Sequence, residues 1–138
     1  MCIAILYFHE GQRVLARFGH PDAVLPVYTR SGGIRLLAWG EPRRQGVFPH
    51  GGWTRLDTLY AGDWDYWFPI PVQLPIHSYM YRDHRGRGQW TDPLIKGHVL
   101  QGLVARDGPQ RRVYVVTLPP SEDAESPLQP RVVIRLSR

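Results

Sequence analysis

Cysteine, lysine and long apolar runs are nearly absent from this chain, and each scarcity excludes something. Cys2 is the only cysteine among 138 residues, so no internal disulfide can form. No apolar run approaches the roughly 18 residues that a membrane span requires. The first residues lack the basic region of a secretory signal. These features predict a cytoplasmic protein in a reducing compartment, without contact to a membrane.

The basic residues are almost all arginine. Of the 17 basic residues only Lys96 is a lysine, and the net charge is +5. A G+C-rich genome explains the ratio of arginine to lysine, but it does not explain the excess of positive charge. Because arginine matches phosphate bidentately and stacks on bases, a basic domain with five tryptophans favours nucleic acid as a partner.

Short β-strands dominate the predicted structure. Runs rich in Val, Ile, Leu and Tyr, separated by Gly or Pro, occupy residues 2–8, 24–29, 34–39, 71–81, 99–105, 112–118 and 131–136. The best helical segment is 56–67, residues 82–88 form a hairpin turn, and the proline-rich stretch 119–130 is a loop. We therefore expect one α+β domain over residues 1–138, with mostly short antiparallel strands in a curved or barrel-like sheet and minor helix.

Cys2 has a chemistry that no internal cysteine has. Methionine is usually removed when a small residue follows it, and removal here would leave cysteine at the N-terminus. Its primary amine could condense with an aldehyde, and its thiol could then close a five-membered thiazolidine ring. The alternative is that Cys2 is a small buried hydrophobic residue.

Five short segments occur in a distinctive order. They are Met1-Cys2, Leu37-Ala38-Trp39-Gly40, Thr54-Arg55-Leu56-Asp57-Thr58, Tyr79-Met80-Tyr81-Arg82-Asp83 and Leu100-Gln101-Gly102-Leu103-Val104-Ala105. The order resembles the SOS-response-associated peptidase (SRAP) family of abasic-site processing proteins. That family begins Met-Cys-Gly-Arg and carries Trp-Gly-Leu, Asn-Ala-Arg-Ala-Glu-Thr, Phe-Tyr-Glu-Trp and Ala-Gly-Leu-Trp segments.

The resemblance implies an SRAP-like fold and a covalent reaction with DNA. Family members use the freed cysteine, here Cys2, to trap the ring-opened aldehyde of an abasic site in single-stranded DNA as a thiazolidine crosslink. Arg55 matches a motif arginine that lies against DNA phosphate, and Trp39 matches a tryptophan beside the DNA. Thr58 matches the last residue of that motif.

Three departures from the family bear on the chemistry. Trp53 stands where the family has asparagine, and the catalytic glutamate falls at Met80 or Tyr81. The late His-x-Arg-Met-Pro motif should lie near residues 126–133, but no histidine follows His98. General acid–base help of this kind is worth typically 10²–10⁴-fold in rate. The resemblance therefore leaves open a slow crosslinker or a non-catalytic single-stranded DNA-binding module.

Two further interpretations come from the residues alone. Cys2 with His77 could form a thiol peptidase or hydrolase, which requires the two side chains to meet within about 3 Å. The six histidines show no ligand spacing, so no metal site and no cofactor is predicted. Arg82 and Arg85 on the predicted hairpin could bind phosphates.

The aromatic run 64–68 also has two interpretations. It could be a stacking surface for bases, but a hydrophobic corner of the core is the preferred one, since aromatic side chains dominate cores.

Overall fold

The first sheet is built around the first strand of the chain. In the computed structural model, which describes residues 2–118 and 129–135, four antiparallel strands pair in the order β2-β1-β7-β8. They are β1 (Cys2–His9), β2 (Gln12–Arg17), β7 (Ser78–Arg82) and β8 (Gly88–Trp90). β1 lies between two neighbours and buries residues on both of its faces. Because both faces are buried, the sequence of β1 is almost continuously apolar.

A two-residue turn joins β1 to β2. His9 pairs with Gln12, and between them Glu10 and Gly11 both have positive φ angles, 51° and 78°. Two consecutive residues of this kind give a turn whose twist matches that of the flanking strands. Glu is a rare residue for such a position, which is why the sequence did not reveal β2.

The second sheet contains the longest strands. Its order is β11-β9-β10-β5, and β6 pairs with β9. Its strands are β5 (Trp53–Arg55), β6 (Ile70–Leu74), β9 (His98–Asp107), β10 (Gln110–Thr117) and β11 (Val132–Ile134). β5 runs parallel to β10, whereas the other pairs are antiparallel.

A third, two-stranded sheet and two helical pieces complete the described structure. β3 (Val24–Tyr28) pairs with β4 (Ile34–Ala38). The predicted helical segment consists of α1 (Leu56–Tyr60) and a 3₁₀ turn (Asp65–Trp67). No helix described in the structure is long and apolar enough to cross a membrane.

Two hydrophobic clusters hold these elements together. The larger one includes Ile5, Leu25, Leu74, Leu100 and Val115, all fully buried. Burial of side chains of this size stabilises a fold by about 1.5–3 kcal/mol each.

The smaller cluster confirms the structural interpretation for two residues of the aromatic run, Trp64 and Trp67. Trp64 is buried against Tyr114, with ring centroids 4.7 Å apart. Trp67 stacks on Phe48 at 5.3 Å. Tyr66 and Phe68 of the same run are exposed.

The mostly β architecture is confirmed, with just over half of the described residues in strands. The predicted closure into a barrel is wrong, because the sheets of the described chain are open. The predicted strand 71–81 is two strands, β6 and β7, which belong to different sheets. Pro75 lies between them, and a proline lacks the N–H group that a continuous ladder needs.

Short or irregular segments account for the other differences. Like β2, the strands β5 and β8 were not predicted. They have only three residues each, and such short runs carry little periodic signal. The predicted hairpin 82–88 is confirmed as the β7–β8 turn. Most of the predicted loop, residues 119–128, lies outside the described residues.

Candidate functional site

A β-bulge orients Cys2. Cys2 pairs with Tyr81 of β7, but Ala4 pairs with the very next residue of that strand, so β1 carries one extra residue there. Side chains alternate along a strand, and without the bulge Cys2 would share the face of Ala4. The bulge instead turns Cys2 to the face of Ile5 and Tyr7, inside the larger cluster. Re-aiming of a side chain is a common use of bulges.

The thiol of Cys2 is fully enclosed. Its exposed fraction is 0%, and its Sγ lies 3.7 Å from the carbonyl oxygen of Ala4, which accepts a weak S–H hydrogen bond. Burial raises the pKa of the thiol to about 12, and the positive chain terminus and the Ala4 hydrogen bond lower it by less. The thiol is therefore neutral at physiological pH, and a neutral thiol is a poor nucleophile.

Two tyrosines of β7 lie on the same side as Cys2. Tyr79 belongs to the same buried cluster, and Tyr81 packs against it. The Tyr79 hydroxyl donates a 2.9 Å hydrogen bond to Oε1 of Gln129. Burial raises the pKa of Tyr79, and negative charge on Cys2 would raise it further. Of the two residues aligned with the family's glutamate, Tyr81 is the one opposite Cys2, so a phenol stands where the resemblance implies a carboxylate.

His77 lies at the other end of the β1–β7 pair. Its backbone N–H bonds to the carbonyl of Leu6 at 2.8 Å, and its ring meets Phe8 edge-on at 5.4 Å. Leu6 is four residues from Cys2, and at about 3.3 Å per residue the separation along the strand is roughly 13 Å. The structure therefore does not form the Cys2–His77 dyad that a thiol hydrolase requires.

Arginines flank Cys2 on both neighbouring strands. On β7, Tyr81 is followed by Arg82, which begins the turn into β8. On β2, the exposed Arg17 pairs with Ala4. Arg17 was not predicted as a site residue because β2 was not predicted, and the Glu10-Gly11 turn before β2 is an unusual one. Both arginines belong to the face of the sheet opposite the Cys2 thiol, because Arg17 pairs with Ala4 and Arg82 follows the inward-facing Tyr81. Exposed guanidinium groups at this end of the sheet suit a ligand that carries phosphate groups.

The β7–β8 turn holds its arginines in an ordered frame. Asp83 accepts hydrogen bonds from the backbone N–H groups of Arg85 and Arg87, at 2.8 and 3.0 Å. These bonds, with that from Arg87 the largest, keep the pKa of Asp83 below its usual value. Arg82 donates to the carbonyl of Gly86 at 3.1 Å, and the side chains of Arg82 and Arg85 are exposed.

Trp39 is not on the surface. Only 2% of it is exposed, and its Nε1 donates to the carbonyl of Gly52 at 2.9 Å. Its ring packs with those of Phe18 and Trp53, at centroid distances of 5.6 and 6.2 Å. A base could stack on Trp39 only after this cluster had opened, so the structure gives it a core position rather than a DNA-facing one.

The same aromatic cluster connects Cys2 to β5. The N–H of Phe18 bonds to the carbonyl of Ile3, next to Cys2, at 3.1 Å. The Phe18 ring lies 4.7 Å from that of Trp53, the first residue of β5. The buried Nε1 of Trp53 has no hydrogen-bond partner in the described part of the chain.

Arg55 and Thr58 form a local unit at the start of α1. The guanidinium of Arg55 bonds both carboxylate oxygens of Asp57, at 3.1 and 2.6 Å. The Thr58 hydroxyl donates to the carbonyl of Arg55 at 2.7 Å. Because the ion pair is exposed, it contributes little to stability, and an external anion can compete with Asp57 for Arg55.

Across residues 2–118 and 129–135, no three His, Cys, Asp or Glu side chains are grouped to hold a metal ion.

Comparison with known proteins finds no match for this chain among family models, curated proteins or solved structures.

Proposed function

We propose that this chain, once freed of Met1, binds single-stranded DNA and traps the ring-opened aldehyde of an abasic site through Cys2. The three open sheets would then be a divergent form of the SRAP-like fold. One observation carries the proposal: Cys2 begins an inner strand whose two neighbours, β2 and β7, carry the exposed Arg17 and Arg82 at the same end of the sheet, on the face opposite the thiol. A DNA strand held by these arginines would bring its sugar to the N-terminus of the chain.

The reaction is balanced without an oxidant or a further reactant. The Cys2 amine adds to the aldehyde carbon, and loss of one water gives an imine. The thiol sulfur then adds to the imine carbon, and its proton passes to the nitrogen, which closes the thiazolidine. Tyr79 lies in the same cluster as Cys2 and Tyr81 packs against that cluster, and their hydroxyl groups would support proton transfer in place of a carboxylate.

Burial of the thiol indicates a slow reaction. The amine can form the imine first, but ring closure requires that the end of β1 separate from β7. Opening at a strand end costs less than global unfolding. We therefore expect accumulation of crosslink over hours rather than seconds.

A denaturing gel tests the proposal. Protein whose mass confirms loss of Met1 is incubated with an oligonucleotide that carries one abasic site. The expected product is a covalent band whose mass is that of protein plus DNA minus one water. Cys2→Ser keeps the amine and should give a stable band only after borohydride reduction. An oligonucleotide whose aldehyde has been reduced to an alcohol should give none. Absence of a band with the Met1-free protein after prolonged incubation would refute the crosslinking function.

The enclosed, neutral thiol favours a second candidate, a DNA-binding module without chemistry. Binding would then be unchanged in Cys2→Ala and weakened in Arg82→Gln, with a smaller dependence of affinity on salt. Arg30→Gln is a matched control, since Arg30 is exposed in the β3–β4 turn of a different sheet. Equal effects of Arg82→Gln and Arg30→Gln would show that the β7–β8 turn is not the contact surface.

A further inference from the structure

A cleft of about 400 Å³ lies beside the Trp39 segment. Its apolar walls include Pro21, Ala38 and Pro42, and its polar lining includes Glu41 and Arg112. The volume lies within the usual range for small-molecule sites. Apolar walls with a few charged groups are typical of sites that hold a flat polar molecule.

Glu41 is a nearly fully buried carboxylate with one charged partner. Its exposed fraction is 1%, and its Oε1 accepts a 3.1 Å hydrogen bond from Nη2 of Arg43, whose side chain is 70% exposed. Among the described residues, the hydrogen bond recorded for this carboxylate is the one to Oε1. A side chain at Gly46 would collide with this carboxylate, so the loop that follows β4 is shaped around it. Buried carboxylates normally accept several hydrogen bonds, and this one retains capacity for a donor.

Arg112 is a hydrogen-bond donor of the cleft. Its Nε is buried without a hydrogen-bond partner among residues 2–118 and 129–135, and its guanidinium lies 5.4 Å from the centre of the Phe48 ring. Burial raises the pKa of Tyr114; Glu41 adds to this effect and Arg112 opposes it, so both charges lie near one hydroxyl. Yet Glu41 and Arg112 do not form an ion pair with each other. The cleft is thus lined by a buried carboxylate and by a guanidinium with a buried Nε, which do not pair with each other.

We propose that this cleft binds an unstacked guanine base, an inference that rests on the single-stranded DNA binding proposed above. Guanine has N1–H and N2–H donors on one edge and the O6 and N7 acceptors on the adjacent edge. The donors suit Oε2 of Glu41, and the acceptors suit the Nε edge of Arg112 in a bidentate pair. A purine also fills more of the cleft than a pyrimidine does. Enzymes that extrude a base read it by such edge contacts between apolar walls.

The cleft and Cys2 are close enough to contact one DNA strand. Phe18 bonds to Ile3, and His20, two residues further, lines the cleft. The path runs from Cys2 to Ile3, across the strand pair to Phe18, and along the chain to His20. At about 3.8 Å per residue and about 5 Å between strands, the Cα atoms of Cys2 and His20 are no more than roughly 16 Å apart. That distance corresponds to a few nucleotides, so a guanine near the lesion would help position it.

Base substitution in the DNA tests the inference. Fluorescence anisotropy compares dT oligonucleotides that carry one dG, deoxyinosine, 7-deaza-dG, dA or dC. Inosine lacks the N2 donor and 7-deaza-dG lacks the N7 acceptor, and each should bind about tenfold more weakly than dG. Glu41→Gln should abolish the preference for dG over inosine. Arg112→Met should abolish the preference for dG over 7-deaza-dG.

The controls separate this inference from the proposed function. Glu10→Gln changes an exposed carboxylate in the β1–β2 turn and should leave every preference intact, and circular dichroism should show that all variants are folded. Equal binding of all five oligonucleotides, or a preference for dC, would refute the guanine site and leave the DNA-binding proposal standing. If no oligonucleotide binds, NMR titration with dGMP and dIMP decides: selective shifts for dGMP support the cleft without the DNA function, and their absence overturns both.

Discussion

The rate of alkylation of Cys2 measures how strongly the fold suppresses the reactivity of its thiol. With Met1 retained, burial raises the pKa of Cys2 from 9.0 to about 12. At pH 8 the thiolate fraction is then roughly 10⁻⁴ in the folded chain and roughly 10⁻¹ in the unfolded chain, since each pKa unit is a tenfold change in ionisation. Because the thiolate is the reactive form, we expect iodoacetamide to react about 1000-fold more slowly with native protein than with protein in guanidinium chloride.

Intact mass spectrometry at timed intervals gives both rates without ambiguity, because the chain has one thiol. A native rate within tenfold of the denatured rate would refute the enclosed position of Cys2. Stability gives an independent readout. The folded thiol keeps its proton where the unfolded thiol loses it, so the free energy of unfolding should fall as pH rises from about 9 towards 12. Cys2→Ala should reduce that fall.

Three further predictions concern the scaffold. Gly40→Ala should destabilise the protein by about 1–3 kcal/mol, because the φ angle of Gly40 is +59° and a Cβ there would collide with Gly51. Gly11→Ala is the control, since Gly11 has a φ of +78° and open space around it. Equal losses of stability in thermal unfolding would contradict the packing argument. Leu100→Ala should cost about 2–5 kcal/mol in urea unfolding, since Leu100 is fully buried, and a loss below 1 kcal/mol would place it outside the core. Hydrogen bonds keep the pKa of Asp83 below 3.8. The stability that they add to the β7–β8 turn is therefore present above pH 3.8 and lost as pH falls through the folded pKa. NMR chemical shifts of the turn amides should follow this titration, and a midpoint above 3.8 would contradict the prediction.

Much of the β architecture could be read from local patterns. The segments that became β1, β3, β4, β9 and β10 have apolar and β-branched residues over five or more positions, and Gly or Pro separates them. The turn at residues 82–88 was equally clear. The short strands β5 and β8 were not, because three residues form a strand only when a neighbouring strand supplies the hydrogen bonds.

The candidate site could be predicted only in part. Cys2 and the arginines of the β7–β8 turn were identified from residue type and position. The burial of Trp39 was not, since a tryptophan has the same sequence signature in a core and on a binding surface. Arg17 was not predicted because strand pairing, not sequence proximity, places it at the same end of the sheet as Cys2.

The chain by itself determined that Cys2 is the single thiol, that the protein is basic through arginine, and that its backbone forms short strands. These properties follow from composition and local periodicity. Only the tertiary structure decided that a bulge turns Cys2 inward beside Tyr79 and Tyr81, that His77 lies at the far end of the strand pair, and that Glu41 is buried. Those outcomes depend on register and packing, where one extra residue in a strand reverses the face of every side chain beyond it.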